Sequence, residues 1–208
     1  MNKQRSSIVY FLMGIIFLFA IYAAWRHNGS PSNAVDDAEI YMSYAENLAA
    51  GNGFVYANNS ERVEGFTSIL WLLVCALQFL ISAGETGIMV MSVSVFLCSQ
   101  ALAMHILSRH CKSRGVPAIR YQIAYFALII LYPAYVTWMS ITLMDIGLWG
   151  LLVLVLTYML LFPPHTKRAV VLSAIVFAVA PAVRPEAMLF APVILIFLCA
   201  TLFRNMAI

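Results

Sequence analysis

Apolar residues occur in long uninterrupted stretches along most of this sequence, and polar residues in short ones. The first apolar stretch covers residues 8–25, a run of 18 residues. That is longer than the roughly 7–15 residues of a signal-peptide core and close to the ~20 residues that cross a bilayer as a helix. We therefore predict an uncleaved membrane anchor, with Tyr22 and Trp25 at its far interface, where amphipathic rings are favoured.

Six further apolar stretches follow one long polar segment. They cover residues 69–81, 88–107, 121–139, 146–162, 169–183 and 187–203. The first has 13 residues, the length of an interfacial or re-entrant helix, whereas the other five are expected to span the membrane. The pattern predicts an all-α, polytopic membrane helix bundle with about six spanning helices and one interfacial or re-entrant helix at the outer face.

This bundle is expected to be a single membrane domain over residues 1–208. Its parts are a first spanning helix (8–25), an outer loop with juxtamembrane helices (26–87) and five further spanning helices (88–203). If residues 69–81 do not cross, nine basic residues lie on the side of the N-terminus and three on the other side; if they do cross, the split becomes three to nine. Since cytoplasmic loops carry the excess of Lys and Arg, we predict a multi-pass protein of an inner or plasma membrane. Its N-terminus is then cytoplasmic, and residues 26–87 are periplasmic or extracellular.

Composition agrees with a membrane protein and argues against an ordinary soluble domain. Of 208 residues, 63% are hydrophobic and 10% are charged, whereas about a quarter of the residues in a soluble domain are charged. The net charge of +3 is small and by itself indicates nothing about nucleic acid. From the composition, the expected partner is the lipid bilayer, and no nucleic-acid partner is expected. The four cysteines and four histidines are scattered without a metal-ligand spacing.

Residues 35–71 form the long polar segment, and six of the nine acidic residues lie in it. Residues 36–50 are expected to be helical, because apolar side chains recur there at three-to-four-residue spacing and form one stripe. The stripe consists of Ile40, Tyr41, Tyr44, Ala45 and Leu48. Gly51 and Gly53 end this helix, since glycine readily adopts the left-handed conformation that follows a helix C-terminus.

The paired carboxylates of Asp36 and Asp37 open that helix. One interpretation is structural: Asp36 caps the helix, and Glu39 three residues later completes a capping box. The other is catalytic, because a carboxylate held at a membrane surface beside a second carboxylate can act as a general base toward a hydroxyl group. The two interpretations are compatible, since a cap fixes the position of the carboxylate.

Arg184 and Glu186 lie in a short Arg-Pro-Glu sequence between two apolar stretches. An arginine there is costly unless it is paired or exposed. It either pairs with Glu186 in a solvated turn or binds a phosphate group in bidentate fashion. Asp145, in the turn between two predicted spanning helices, is either solvated or part of a site. Arg62 and Glu64 either order the polar segment or contact a substrate.

The predicted orientation places the polar segment, the turn at residues 140–145 and the Arg-Pro-Glu turn on the same outer side. The charged residues that are unusual for a membrane protein are thus gathered together, which indicates a functional site. Asp36, Asp37 and Asp145 offer the oxygen ligands that Mg²⁺ or Mn²⁺ accepts. No spacing demands a metal, so no cofactor is firmly expected.

Four landmarks of the sequence resemble one group of enzymes. They are DDAEIYMSYAENLAAGNGFVY at residues 36–56, ERVEGFTSILW at residues 61–71, the acid Asp145 in the second outer turn, and Arg-Pro-Glu at residues 184–186. Their order and spacing are similar to those of polyprenyl-phosphate-dependent glycosyltransferases of the GT-C fold, especially the mycobacterial terminal arabinofuranosyltransferase branch. A more distant similarity is to protein O-mannosyltransferases and lipid A aminoarabinose transferases.

The resemblance implies a membrane enzyme of glycan or cell-envelope biosynthesis that moves a sugar from a polyprenyl-phosphate donor to a glycan or lipid acceptor, with inversion. It implies that Asp36 is the catalytic base and that Asp37 and Asp145 orient the acceptor or the sugar. Arg184 would hold the donor phosphate, and the remaining substrate-binding candidates are Arg62, Glu64 and Glu186.

The sequence departs from the family at Asp145, where glutamate is more common, and at Ala187, where glycine is common. Family members usually continue through further helices, so residues 1–208 are expected to correspond to the N-terminal part of a larger architecture. The alternative is a non-catalytic membrane scaffold, a transport-like protein or an inactive truncated homologue.

Overall fold

The computed structural model describes residues 3–28, 36–58, 61–63, 65–163, 166–190, 192, 193, 196 and 199. Over these residues the chain is all-helical, with eight helices and no strand. They are α1 (Lys3–Asn28), α2 (Asp36–Ala49), α3 (Ile69–Leu80), α4 (Gly84–Ser113), α5 (Ala118–Leu131), α6 (Pro133–Ser140), α7 (Ile146–Leu161) and α8 (Lys167–Val183). The prediction of an all-α helical bundle is confirmed.

Aromatic side chains join α1, α4 and α5. Phe17 of α1 meets Phe96 of α4 and Phe126 of α5 edge-on, with ring centroids 5.6 and 4.9 Å apart. Toward the other end of α4, Ser108 hydrogen-bonds Tyr10 near the start of α1. Residue numbers thus rise along α1 as they fall along α4, so the two helices are antiparallel. Such ring pairs add about 0.5–1.5 kcal/mol each beyond the burial of their area.

Residues 121–139 were expected to form one spanning helix, and instead they divide between α5 and α6, whose axes differ by 82°. Pro133 is the first residue of α6, and Tyr132 before it has φ −115° and ψ 75°. A residue that precedes proline is disfavoured in the α region, and proline has no N–H to continue the hydrogen-bond ladder. Val136 and Met139 of α6 then pack against Phe17 in the core, which fixes the direction of the bend.

Two helices, Tyr10–His27 within α1 and Gly84–Ser113, are long and apolar enough to cross a membrane, and the bent pair α5–α6 is a third candidate if it counts as one span. The helices α3, α7 and α8 are apolar but shorter. A lipid bilayer is therefore the environment that the described helices fit. The α3 helix, at 12 residues, is about 18 Å long and shorter than the ~30 Å hydrocarbon core.

The amphipathic helix expected over residues 36–50 is present as α2. Its predicted stripe faces the protein: Tyr41, Tyr44 and Ala45 are buried, while Glu39 and Glu46 on the other side are exposed. After the helix, Gly51 and Gly53 have φ values of 85° and 84°, a conformation that glycine adopts without strain. The polar segment is thus held on the bundle by its own apolar side chains.

Candidate functional site

A buried carboxylate and a guanidinium form the centre of the candidate site. Asp145 lies in the turn that leads into α7, and Arg184 directly follows the last residue of α8. The Arg184 Nε donates to Asp145 Oδ2 at 2.7 Å, and Nη2 donates to Oδ1 at 3.0 Å. This two-point geometry matches the planar fork of arginine to a carboxylate and gives strong charge-assisted hydrogen bonds.

The two partners differ in their exposure. The side chain of Asp145 is fully buried, whereas that of Arg184 is 23% exposed. The hydrogen bonds to Asp145 raise the pKa of Arg184 above its ordinary value, and burial opposes them. Arg184 therefore neutralises a carboxylate that would otherwise be buried without a counter-charge, and its other edge still reaches the surface.

Glu186 faces that other edge of the guanidinium. Its Oε1 lies 3.8 Å from Arg184 Nη1, and its side chain is half-exposed. At that distance the contact is an ion pair without a hydrogen bond. The Nη1 donors of Arg184 can therefore bind another anion at little cost in stability, since exposed ion pairs contribute only about 0–1 kcal/mol.

Ser68 brings the polar segment next to this pair, because its Oγ donates to the carbonyl of Ala182, two residues before Arg184, at 3.5 Å, and Tyr41 of α2 holds Ser68 in turn. The Ser68 backbone N–H donates to the Tyr41 hydroxyl at 2.9 Å, and Thr67 Oγ1 lies 3.1 Å from the same oxygen. Burial raises the pKa of Tyr41, and the negative charge of Asp145 raises it further. The electrostatic influence of Asp145 therefore reaches α2.

A second attachment joins α3 to the turn that carries Asp145. The indole N–H of Trp71 donates to the Leu143 carbonyl at 2.9 Å. Leu143 is buried and has a positive φ of 57°, an uncommon conformation for a leucine. Ser68, the N-cap of α3, accepts a hydrogen bond from the Trp71 backbone N–H at 3.1 Å. These contacts fix α3 against the 141–145 turn.

Close contact between α6 and α7 also places Asp145. A Cβ added to Gly147 would lie 2.8 Å from the Met139 carbonyl oxygen and 3.7 Å from Val95 Cγ1. Glycine therefore lets the start of α7 approach the end of α6 and the side of α4. Val95 lies about three turns after the start of α4. Gly147, and with it Asp145, therefore lies beside the interior of α4 and not beside its first turn.

The structure brings together three of the residues predicted for the site, namely Asp145, Arg184 and Glu186. Asp37 is exposed and lies one turn before Tyr41 on α2, and Arg62 is exposed with its Nη2 3.9 Å from the Cβ position of Gly53. Asp36 is the first residue of α2. Its side chain and all of Glu64 lie outside the described residues.

The structure decides between alternatives that the sequence left open at two residues. Asp145 is not solvated, although it lies in a short turn, because Arg184 and the surrounding apolar residues enclose it. Arg184 pairs mainly with Asp145, while its neighbour Glu186 is the weaker partner. Sequence reasoning also missed the attachment of Trp71 to Leu143, for which the sequence carries no signal. It missed the role of Ser68, although a serine before an apolar stretch is a typical helix N-cap.

The possible Mg²⁺ or Mn²⁺ site has little support in this geometry. Among the residues that the structure describes, no three His, Cys, Asp or Glu side chains are arranged to hold a metal ion. Both carboxylate oxygens of Asp145 accept hydrogen bonds from Arg184.

Three kinds of comparison with known proteins bear on the family. No protein-family model matches the chain, and neither a curated protein nor a solved structure is significantly similar to it.

Proposed function

We propose that this protein is a membrane-bound glycosyltransferase of the GT-C type. It transfers a sugar from a polyprenyl-phosphate donor to a hydroxyl group of a glycan or lipid acceptor at the outer face of the membrane. The observation that carries the proposal is the Asp145–Arg184 pair, in which the Arg184 side chain is partly exposed next to the contact between Ser68 of the polar segment and Ala182 of α8. The resemblance of residues 36–71 to this enzyme group is the basis for the proposed reaction and substrates.

Arg184 is the proposed binding residue for the donor phosphate. Its Nε and one Nη2 donor are used by Asp145, whereas the ion-pair partner of Nη1 among the described residues is the half-exposed Glu186. A phosphate oxygen at that edge replaces a weak ion pair with charge-assisted hydrogen bonds. Because Asp145 is fully buried, it acts by positioning Arg184 rather than by touching the sugar.

Asp36 is the proposed general base, and Asp37 helps to orient the acceptor. The acceptor hydroxyl gives its proton to the Asp36 carboxylate as its oxygen attacks the anomeric carbon from the face opposite the phosphate. The bond between that carbon and the phosphate oxygen breaks, and polyprenyl phosphate leaves with the bonding electrons. The resulting sugar has the inverted configuration, and the additional negative charge on the leaving phosphate is stabilised by Arg184.

The proposal includes the membrane topology. Six membrane crossings, with the bent pair α5–α6 counted as one, are inferred from the apolar stretches, and a cytoplasmic N-terminus is inferred from the distribution of Lys and Arg. The contacts of Asp145 with Arg184 and of Trp71 with Leu143 support a shared location for the two turns and the start of α3. This end of the bundle is then periplasmic or extracellular, where polyprenyl-phosphate sugars and acceptor glycans meet.

A transport-like membrane protein is the second candidate, and the break between α5 and α6 favours it. The 82° bend interrupts an apolar stretch, and interrupted helices are typical of secondary transporters. In this alternative the Asp145–Arg184 pair is a structural link between α7 and α8. Transport would be seen as movement of a solute across the membrane without chemical change, which separates it from glycosyl transfer.

The experiment that tests the proposal is a transfer assay in liposomes with radiolabelled polyprenyl-phosphate sugars. The variants are Asp36→Asn, Arg184→Gln and, as a matched control, Glu85→Gln in the exposed first turn of α4. We expect transfer by the wild type and the control, loss of transfer in Asp36→Asn with donor binding kept, and loss of donor binding in Arg184→Gln. Full transfer by Asp36→Asn would exclude it as the base, and absence of transfer by the wild type would reject the enzyme.

A further inference from the structure

A cavity between α1 and α4 is separate from the candidate site. Its volume is about 550 Å³, within the roughly 300–1,000 Å³ of small-molecule pockets. Each of these two helices is long and apolar enough to cross a membrane. The wall is mainly apolar along its length, with Met13 and Phe17 on one side and Leu97 and Met104 on the other.

One end of the cavity is polar. There Gln122 Nε2 shares its two hydrogens among three acceptors, the Tyr10 hydroxyl and Ser108 Oγ, each at 2.8 Å, and the Met104 carbonyl at 3.1 Å. The two hydroxyl oxygens are 3.0 Å apart. Only one of the two hydroxyl hydrogens is needed for the bond between Tyr10 and Ser108. The other is therefore available to donate to a ligand at this end.

The polar end lies at the level where α4 becomes charged. Ser108 is followed directly by Arg109 and then by Lys112, which are exposed, and basic residues collect at membrane interfaces. From Ser108 back to Leu97 the helix rises by about 16 Å, close to half of the ~30 Å hydrocarbon thickness. The cavity thus runs from the membrane interface toward the bilayer centre. Its wall is polar at the interface end and mainly apolar along the rest of its length.

Gln100 provides a second polar group on the wall. It is 3% exposed, and its Oε1 accepts a hydrogen bond from the Tyr125 hydroxyl at 2.8 Å. Its Nε2 has no hydrogen-bond partner among the described residues. A buried amide donor without a partner costs roughly 1–3 kcal/mol, so an acceptor oxygen inside the cavity would be bound favourably.

We propose that this cavity binds one ester-linked bilayer lipid. A hydrocarbon chain lies along the apolar wall between α1 and α4. An ester carbonyl of the lipid accepts the free hydroxyl hydrogen of the Tyr10–Ser108 pair. Among the side chains that the structure describes around the cavity there is no Asp, Glu, Lys or Arg, and the one titratable group other than Tyr10 is His105, so the hydrogen bond that we propose is to the uncharged ester region. This site is independent of the proposed transfer reaction.

Gly14 gives a direct way to close the cavity. A Cβ added there would meet no atom within 4 Å, so a larger side chain has room to enter without a clash. Gly14→Leu fills the space from α1, and Ala101→Leu fills it from α4. Leu12→Phe is the matched control, because Leu12 is an exposed residue of α1 and does not line the cavity.

The test is native mass spectrometry of the full chain, purified in detergent after exchange into vesicles of dioleoyl phosphatidylcholine. We expect the wild type and Leu12→Phe to retain one lipid, and Gly14→Leu and Ala101→Leu to lose it. Equal retention in all four proteins, or no retention by the wild type, would overturn the site. In vesicles of the matching diether lipid, which lacks the carbonyl, we expect weaker retention. Equal retention of both lipids would overturn the hydrogen bond to the ester.

Discussion

The carboxylate of Asp145 and the guanidinium of Arg184, 39 residues apart in the chain, are joined by two hydrogen bonds of 2.7 and 3.0 Å. This ion pair connects the start of α7 with the end of α8. A fully buried carboxylate is stable only with such a partner, because removal of its hydration is costly. The pair therefore fixes the end of the bundle on which the acidic segment rests.

Removal of either partner is expected to destabilise the fold. Breaking a buried ion pair from one side costs about 3–5 kcal/mol, because the remaining charge loses its partner. Arg184→Gln should be the more harmful change, since it strands the fully buried Asp145, whereas Asp145→Asn leaves a partly exposed guanidinium. Thermal unfolding in detergent, followed by circular dichroism, measures both. The double variant should cost less than the sum of the single ones; additive losses would show that the pair is not coupled.

Tyr41 gives a prediction about alkaline pH. Burial and the charge of Asp145 raise the pKa of Tyr41 above its ordinary value of 10.0. The neutral phenol is thus favoured in the folded state, and its contribution to stability is complete below about pH 10 and is lost as the pH rises through the folded-state pKa. Tyr41→Phe should remove this part of the alkaline decline. It should also cost roughly 1–3 kcal/mol at neutral pH, because the Ser68 N–H loses its acceptor.

Stability measured against pH in the wild type and in Tyr41→Phe checks this expectation. Tyr56→Phe is a suitable control, since Tyr56 is exposed. An equal alkaline decline in all three proteins would exclude Tyr41 as its source.

Gly147 is expected to be intolerant of a side chain. Replacing glycine with alanine inside a helix ordinarily stabilises it by roughly 0.5–1 kcal/mol. Here the new Cβ would be 2.8 Å from the backbone oxygen of Met139, so Gly147→Ala must push α7 away from α6 and move Asp145. Gly150→Ala is the matched control, because its Cβ would meet only the flexible end of the Met139 side chain.

Thermal unfolding compares the two glycine variants. We expect Gly147→Ala to unfold at a lower temperature than the wild type and Gly150→Ala to stay close to it. Equal unfolding temperatures for the two variants would contradict the close approach of the two helices.

The sequence was most informative where local patterns decide structure. The apolar stripe of α2 and the glycines after it are local signals, and both appear as predicted. Pro133 was also a visible signal, but the prediction followed only the length of the apolar stretch around it, and the break between α5 and α6 was missed. Proline acts on the backbone of the preceding residue whatever the hydropathy of its neighbours.

The candidate site was less predictable because its contacts are long-range. Asp145, Arg184 and Glu186 were all identified as unusual charges, and their common location was expected from topology. The sequence offered only the neighbour Glu186 as a protein partner of Arg184 beside the alternative of phosphate binding, since nothing in the spacing of residues 145 and 184 shows that the start of α7 lies next to the end of α8. Trp71 likewise reached Leu143 across 72 residues, a pairing that only the packed bundle defines.

The most direct test of the proposed function is the rate of sugar transfer from a radiolabelled polyprenyl-phosphate donor by wild-type protein and by Asp36→Asn in the same liposomes. A carboxamide keeps the shape of the side chain and cannot accept the acceptor's proton, so loss of a positioned general base should lower the rate by about 10²–10⁴-fold. The expected result is transfer by the wild type and a loss of that size in the variant, with unchanged expression and unfolding temperature. Equal rates in the two proteins would contradict the assignment of Asp36, and no transfer in either would contradict the enzyme itself.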